Sequence, residues 1–411
     1  MRTGVALVHP THGHVTPTLR VAAELARRGE RIVFYATERS RARVEAAGVE
    51  YRPYPRPYEE FDPTPPTSGL FADMERLAAL SHAIVPALVR EIETLGAHYL
   101  LADTKSLWGR LAAQRLGIPA ITLSVVFALN EGIVPTARLV SMLYAGAPDG
   151  ALHQGLLGLT TYFERVRHGD ATLGVSSPGV AGFLSNPQPL NIIFTSREFQ
   201  LRGSEFPDAY QFVGAAMEPP ETTPAPSGGG EFPWRSLSGA PLVYVSLGTT
   251  FHNAPGFYRD CFQAFGSMPW QVVLSAGGMS LEALRESVGE APSNFLVAPY
   301  VPQLSLLERA SVFVTHGGMN SVQEGLYLGV PMVAVPQRGD QFLSSARIEE
   351  LGAGLALTPQ RLTPEALREA TARLLGESAF RHNAAALGES LRYAGGCARA
   401  ATLILDHLRQ P

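Results

Sequence analysis

FVTHGGMNSVQEGLYLGVPMVAVPQRGDQ occupies residues 313–341, and its reading sets the fold of the whole chain. An apolar strand ends in Thr315, His316-Gly317-Gly318 form a turn, and a helix opens near Met319 with Asn320 and Ser321 in its first turn. Adjacent glycines let a backbone pass close to a bulky anion, and a helix start offers free N–H groups and the positive end of a dipole. Strand, glycine turn and helix start together make a phosphate site. Glu324 lies three to four residues further along that helix face, where a carboxylate accepts hydrogen bonds from a ribose diol. A second apolar strand, residues 331–335, is followed by Asp340 and Gln341, which can bond sugar hydroxyls. In chain order the segment spells phosphate, ribose, sugar: a nucleotide-sugar laid across the carboxyl ends of adjacent strands.

Composition bounds the alternatives. A chain of 411 residues exceeds one small core and suggests two or three domains. Hydrophobic residues at 45% and charged residues at 17% describe a well-packed globular protein. A net charge of −4 leaves no electrostatic footprint for nucleic acid. Cys261 and Cys397, the only cysteines, build neither a disulfide framework nor a thiolate metal site. The chain enters directly into a strand without a basic leader, and no apolar run reaches the roughly 18 residues of a spanning helix. A cytoplasmic protein without a transmembrane segment, as monomer or homodimer, is the expectation.

Strand and helix alternate through both halves. Residues 4–9, 31–36, 99–102 and 120–124 read as strands, with helical spacing at 15–28, 40–47 and 107–116. Residues 125–185 read as helices and loops covering a cleft, and 190–194 and 211–213 as short closing strands. A Pro/Gly-rich stretch, MEPPETTPAPSGGGEFP at 217–233, describes a linker. Strands then resume at 242–246, 271–275, 294–297, 312–315 and 331–335, and a final helix at 394–409 shows Ala398, Ala401, Leu405 and Leu408 as its apolar residues. Alternation of this kind predicts α/β units with parallel sheets and ligands at their carboxyl edges.

Four stretches in this order, HGHVTP at 12–17, VSLGTT at 245–250, YVPQLSLL at 300–307 and the segment 313–341, resemble the UDP-dependent glycosyltransferases of family 1, in particular the bacterial macrolide-type enzymes. The resemblance implies the GT-B fold, two Rossmann-like domains facing across an interdomain cleft. Residues 1–216 would be the acceptor-binding domain, 217–235 the linker, 236–390 the nucleotide-sugar domain and 391–411 a helix packing back on the first domain. It also implies an inverting, metal-independent hexosyltransferase with no tightly bound cofactor.

His9, His12 and His14 crowd the exit of the first strand. Transfer to a hydroxyl needs a base, and histidine is the natural one near neutral pH. His9 on the strand reads as an ordinary satisfied histidine, whereas His14 aligns with the family's catalytic base. Asp103 matches the aspartate that orients that imidazole; its other reading is an N-cap for a helix over 104–116. His12 shapes the turn or the sugar pocket. No HExxH, DxD or Cys/His ligand set stands out, and Glu59, Glu60 and Asp62 lie in a Pro-rich loop without the pairing of glycosidase carboxylates.

On the donor side, Ser246, Gly248 and Thr249 offer a second diphosphate contact, with His316, Gly318, Asn320 and Ser321 as the first. Tyr300 stands where family members usually carry the Trp that stacks on uracil, so uracil and thymine both remain open. Val301 and Gln303 are ribose or base contacts, Glu324 the ribose ligand, and Asp340 and Gln341 the hexose ligands. For the acceptor, Phe71, Trp108, Phe127 and Tyr144 could line an apolar pocket, although such aromatics are commonly core. The expected co-substrates are UDP-glucose, with a dTDP-sugar as the alternative, and a small hydrophobic acceptor such as a macrolide, polyketide or phenol. A nucleotide-sugar 2-epimerase on the same scaffold and a non-catalytic activator of a partner transferase are the rival readings.

Overall fold

The computed structural model describes residues 1–56, 58, 70–130, 132–133, 163–176, 185–217, 232–248, 254–337 and 339–410, with the backbone alone over 70–74. By its contacts the chain forms two compact units. The first takes in the described residues up to Ala216 together with those from Tyr393 onward, and the second those from Met217 to Arg392.

The first unit is a seven-stranded sheet in the order β3-β2-β1-β4-β5-β6-β7. Its strands are β1 (Thr3–Leu7), β2 (Arg31–Ala36), β3 (Glu50–Pro53), β4 (Tyr99–Asp103), β5 (Ala120–Ser124), β6 (Leu190–Ile193) and β7 (Tyr210–Phe212). Every described pairing is parallel. Central strands such as TGVAL and YLLAD are buried throughout, as a parallel sheet covered on both faces requires. Helix α1 (His12–Arg27) covers one face, while α3 (Leu70–Thr94) and α4 (Leu107–Leu116) cover the other. The short α2 (Arg41–Ala46) leads into β3.

In the second unit β8 (Leu242–Ser246), β9 (Gln271–Ser275), β10 (Phe295–Ala298), β11 (Val312–Thr315), β12 (Met332–Ala334) and β13 (Gly354–Ala356) form a parallel sheet ordered β10-β9-β8-β11-β12-β13. Its helices are α5 (Pro255–Phe265), α6 (Leu281–Val288), α7 (Gln303–Leu307), α8 (Met319–Tyr327), α9 (Asp340–Glu350), α10 (Pro364–Gly376) and α11 (Ser378–Tyr393). Both sheets contain the dinucleotide-fold order, in which the chain starts at a central strand, builds to one side, then crosses to the other.

The last helix, α12 (Gly396–His407), belongs to the first unit. Ala400, Ala401, Ile404 and Leu405 bury its apolar face in the core with α1, and Arg28 donates to Thr402 Oγ1 at 2.8 Å and to the Ala398 carbonyl at 2.9 Å. Ala398 itself is exposed, so the buried stripe is rotated from the expected one. Among the described residues no helix is long and apolar enough to cross a membrane.

Several boundaries differ from the sequence reading. Helix α1 starts at His12, so the HGH residues form its first turn rather than a loop, and Pro17 sits within it. The edge strands β3, EYRP, and β13, GLA, escaped the pattern because one is polar and half-exposed and the other is three residues with a glycine. The 25-residue α3 was hidden by Pro86 in its interior.

Helical residues 163–172 are pinned to this unit by a buried ionic cluster. Asp170, 1% exposed, accepts from Arg110 of α4 and from His82 of α3, each at 2.9 Å. Burial alone would raise its carboxyl, but the His82 and Arg110 bonds outweigh it and hold Asp170 below the usual carboxylate range. Removing one member of such a buried set leaves a charge uncompensated and costs about 3–5 kcal/mol. Asp170→Ala should therefore lower unfolding stability by about that amount, read from chemical denaturation. Because the native carboxyl is the stronger acid, the cluster's contribution is present above the unfolded value of about 3.9 and declines as pH falls below it.

Candidate active site

At the carboxyl edge of the first sheet, β1 and β4 are neighbours and the chain order reverses between them, with Leu7 beside Ala102 in register. Helices leaving two such strands pack on opposite faces and open a crevice at the strand ends. His14 comes from the helix after β1, and Asp103 is the last residue of β4. His14 Nδ1 lies 2.7 Å from Asp103 Oδ2, and both side chains are buried. A carboxylate only accepts, so Nδ1 carries the proton and Nε2 is left as the acceptor, the tautomer of a general base. Asp103 Oδ1 accepts from the Lys105 amide at 2.9 Å, which fixes the carboxylate's second oxygen. Asp103 is not an N-cap: helix α4 begins at Leu107 and Ser106 holds the cap position.

His9 packs edge-on against His14, ring centroids 5.4 Å apart, with Nδ1 3.1 Å from Thr11 Oγ1. Burial, then the nearby His14 and Lys105, pushes its pKa well below the usual histidine value, so His9 stays neutral. His12 is exposed at the start of α1.

Acceptor residues drawn from the sequence fare differently. Trp108 is fully buried, its Nε1 donating to Tyr54 Oη at 3.2 Å, and it presents no ring to a ligand. Phe127 is buried against Phe199, ring centroids 5.4 Å apart. Both are core, because aromatics next to sheet ends fill the space between strand and helix. Tyr144, the side chain of Phe71, and the loop with Glu59, Glu60, Phe61 and Asp62 lie outside the described residues.

The second sheet repeats the plan. Ser275, Ser246, Thr315 and Ala334 stand in register across β9, β8, β11 and β12, with the reversal between β8 and β11. At that reversal Gly248 after β8 meets His316 after β11. Gly248 has φ +75°, and a Cβ there would come within 2.8 Å of His316 Cε1; a Cβ on Gly318 would collide with its Nε2. The imidazole is thus held between two glycine backbones. Its Nδ1 is buried without a hydrogen-bond partner among the described residues, and burial lowers the ring to about 4, against a smaller opposing pull from Asp340. Gly318 precedes α8, whose first turn carries Asn320 and Ser321. Thr249 lies outside the described residues.

Gln303 is committed within the protein. Tyr244 Oη donates to its Oε1 at 2.9 Å, and its Nε2 donates to Ser321 Oγ at 3.4 Å and, closely, to Glu324 Oε2. It orients the Glu324 carboxylate from below, a role its sequence position did not reveal. Val301 is buried. Tyr300 is 46% exposed, with its hydroxyl end seated where a Cβ on Gly278 would lie. Asp340 is exposed in the first turn of α9, whose N-cap is Gly339; Gln341 is buried, its Oε1 accepting from the Gln337 amide at 2.8 Å. Ser344 and Ser345 were missed by sequence reasoning. Ser344 Oγ donates closely to the Gly317 carbonyl, and Ser345 Oγ fills the space a Cβ on Gly317 would need.

The chain is similar over its length to known proteins. The family model described as erythromycin biosynthesis protein CIII-like, C-terminal domain, matches residues 273–393. A protein named uncharacterized UDP-glucosyltransferase YojK, from Bacillus subtilis (strain 168), is 32% identical over 410 residues, covering 98% of this chain and 96% of that protein. Oleandomycin glycosyltransferase of Streptomyces antibioticus is 31% identical, covering 96% and 88%. Among solved structures, the calicheamicin glycosyltransferase CalG4 superposes with a TM-score of 0.76 at 30% identity, covering 99% and 98%. The fold is GT-B and the chain belongs to family 1 of the UDP-dependent glycosyltransferases, among the macrolide-type enzymes.

His316 provides a test of the described electrostatics. A lowered native value means the unfolded chain binds the extra proton first, so its contribution to stability is present above about 6.5 and is lost as pH falls towards 4. In NMR titration of the free protein the His316 ring should stay neutral at pH 5.5; an inflection near 6.5 would contradict the buried setting.

Proposed function

We propose that the protein is an inverting hexosyltransferase that moves glucose from UDP-glucose to a hydroxyl of a small hydrophobic natural product, with a dTDP-sugar as the alternative donor. The observation that carries the donor half is the spatial order of loops along one sheet edge. Asp340 follows β12, His316 and Gly318 follow β11, Gly248 follows β8, and Tyr300 follows β10. Sugar, diphosphate and base ligands therefore stand in molecular order over four inter-strand steps, about 19 Å at the usual strand spacing. Backbone N–H groups at the start of α8 and the His316 ring offset the diphosphate charge, the Glu324 carboxylate accepts from the ribose diol, and Asp340 and Gln341 bond the hexose hydroxyls.

The acceptor half rests on the His14–Asp103 pair. His14 Nε2 takes the proton of the acceptor hydroxyl while that oxygen forms a bond to the anomeric carbon. The bond from the anomeric carbon to the diphosphate oxygen breaks, and the electron pair leaves with the nucleotide. Asp103 stabilises the imidazolium formed at His14. A single displacement inverts the anomeric centre. The relatives named for oleandomycin and calicheamicin favour a bulky, lipophilic acceptor. A 2-epimerase would use carboxylates and need no acceptor, so the HGH turn with its His14–Asp103 pair counts against it, and the intact donor motifs count against a silent activator.

His14→Ala should lower kcat by about 10²–10⁴-fold and leave nucleotide affinity within twofold, read by steady-state kinetics and calorimetry. UDP release in the wild type should depend on a macrolide or phenolic acceptor; sugar isomerisation without acceptor would instead favour the epimerase. Gly318→Ala should weaken UDP binding about 10–100-fold, since its Cβ displaces His316 and a charged hydrogen bond is worth about 1.5–3 kcal/mol.

A further inference from the structure

The β1 ladder ends at Leu7, the last residue paired with both β2 and β4. Val8, the next residue, is fully buried, so its peptide groups have neither a strand partner nor water. One side chain replaces both. Tyr54, just past β3, accepts the Val8 N–H at 2.7 Å and donates its hydroxyl proton to the Val8 carbonyl at 3.0 Å. The same oxygen accepts Trp108 Nε1–H at 3.2 Å. A phenol has one proton to give and two lone pairs to fill, and here all three are used. Tyr58 adds a second donation to the Val8 carbonyl at 3.0 Å. The rings pack together, Tyr54 on Tyr58 at 3.8 Å and Trp108 edge-on to Tyr54 at 5.7 Å.

What this oxygen joins gives it meaning. Val8 lies four residues before α1, whose first turn holds His14; Trp108 is the second residue of α4, which follows β4 and Asp103. We propose that Tyr54 is a positioning residue for glycosyl transfer: its hydroxyl ties the strand that delivers the base to the helix behind the strand that delivers the carboxylate, and so fixes the His14–Asp103 separation. It touches no substrate and acts through the pair. The inference rests on the proposed role of His14.

Tyr54→Phe keeps the ring and removes only the oxygen. The expected result is a kcat lowered about 10–100-fold, as for a reacting group displaced by about an ångström, with the KM for the nucleotide-sugar within twofold of wild type. The low-field proton resonance of His14 Nδ1–H should broaden or move upfield in the same variant. A merely structural role would change the melting temperature without moving that resonance or separating kcat from KM. Wild-type kcat and an unshifted resonance in folded Tyr54→Phe would overturn the proposal. Should that variant not fold, Trp108→Phe removes one of the three bonds and decides: a several-fold lower kcat with unchanged donor KM supports it, and wild-type kcat overturns it. His14→Ala assayed in parallel separates the two readings. Retained activity there defeats the base itself, whereas an inactive His14→Ala beside a wild-type-like Tyr54→Phe defeats the positioning role alone.

Discussion

Both candidate sites of this protein depend on one topological constraint, the reversal of strand order inside a parallel sheet. It occurs between β1 and β4 in one unit and between β8 and β11 in the other. At each reversal two neighbouring strands send their helices to opposite faces, which opens a crevice at the strand ends between them. Side chains separated widely in sequence arrive there together. His14 and Asp103 meet at 2.7 Å across 89 positions, and Gly248 lies against His316 in the same way. The register of the sheet, set by buried aliphatic strands, is therefore what places the chemistry.

The two crevices use opposite electrostatic devices. In the first unit an imidazole is paired with a carboxylate, and a second imidazole, His9, is kept neutral beside it by burial. The 2.7 Å bond to Asp103 distinguishes His14 from His9, although both follow the same strand. In the second unit burial holds His316 neutral, and among the described residues its Nδ1 has no partner. A buried polar nitrogen left without a partner carries a free-energy cost that a ligand could offset.

Legibility in the sequence followed the same physics. Buried strands show as continuous apolar runs, so YLLA, LVYVS and VFVT could be read within a residue or two, and the Gly-rich exits beside them marked the site. Edge strands with polar or glycine-containing sequences gave no such signal, and β3 and β13 went unseen. His14 and Asp103 lie next to readable strand ends, but the family resemblance is what singled them out from His9, His12 and an N-cap reading. Trp108 and Phe127 were misplaced for a physical reason: hydrophobicity identifies a residue that avoids water but does not distinguish a pocket wall from a core. Gln303 was found but its task was not, since a hydrogen bond to Tyr244 and Glu324 is a property of packing and leaves no periodicity. Ser344 and Ser345 were missed likewise, because their value lies in how close α9 comes to Gly317.

The division between backbone and side chain also determines what can vary. Around the proposed phosphate position the groups are glycines, a helix start and a ring held between them, and a substituted Cβ would collide at Gly248, Gly317 or Gly318. At the two ends of the same edge stand Tyr300 and Asp340, both exposed. Changing an exposed side chain disturbs less packing than changing a buried one, so the ends can be altered more readily than the centre. The tyrosine at 300, where the family usually has tryptophan, falls at such an end. It offers a smaller stacking face beside a hydroxyl that leans over Gly278, and a larger ring there would have to find its room outward, away from the turn. In the proposed donor mode, base preference falls to an exposed side chain, whereas phosphate binding falls to the backbone that makes the fold.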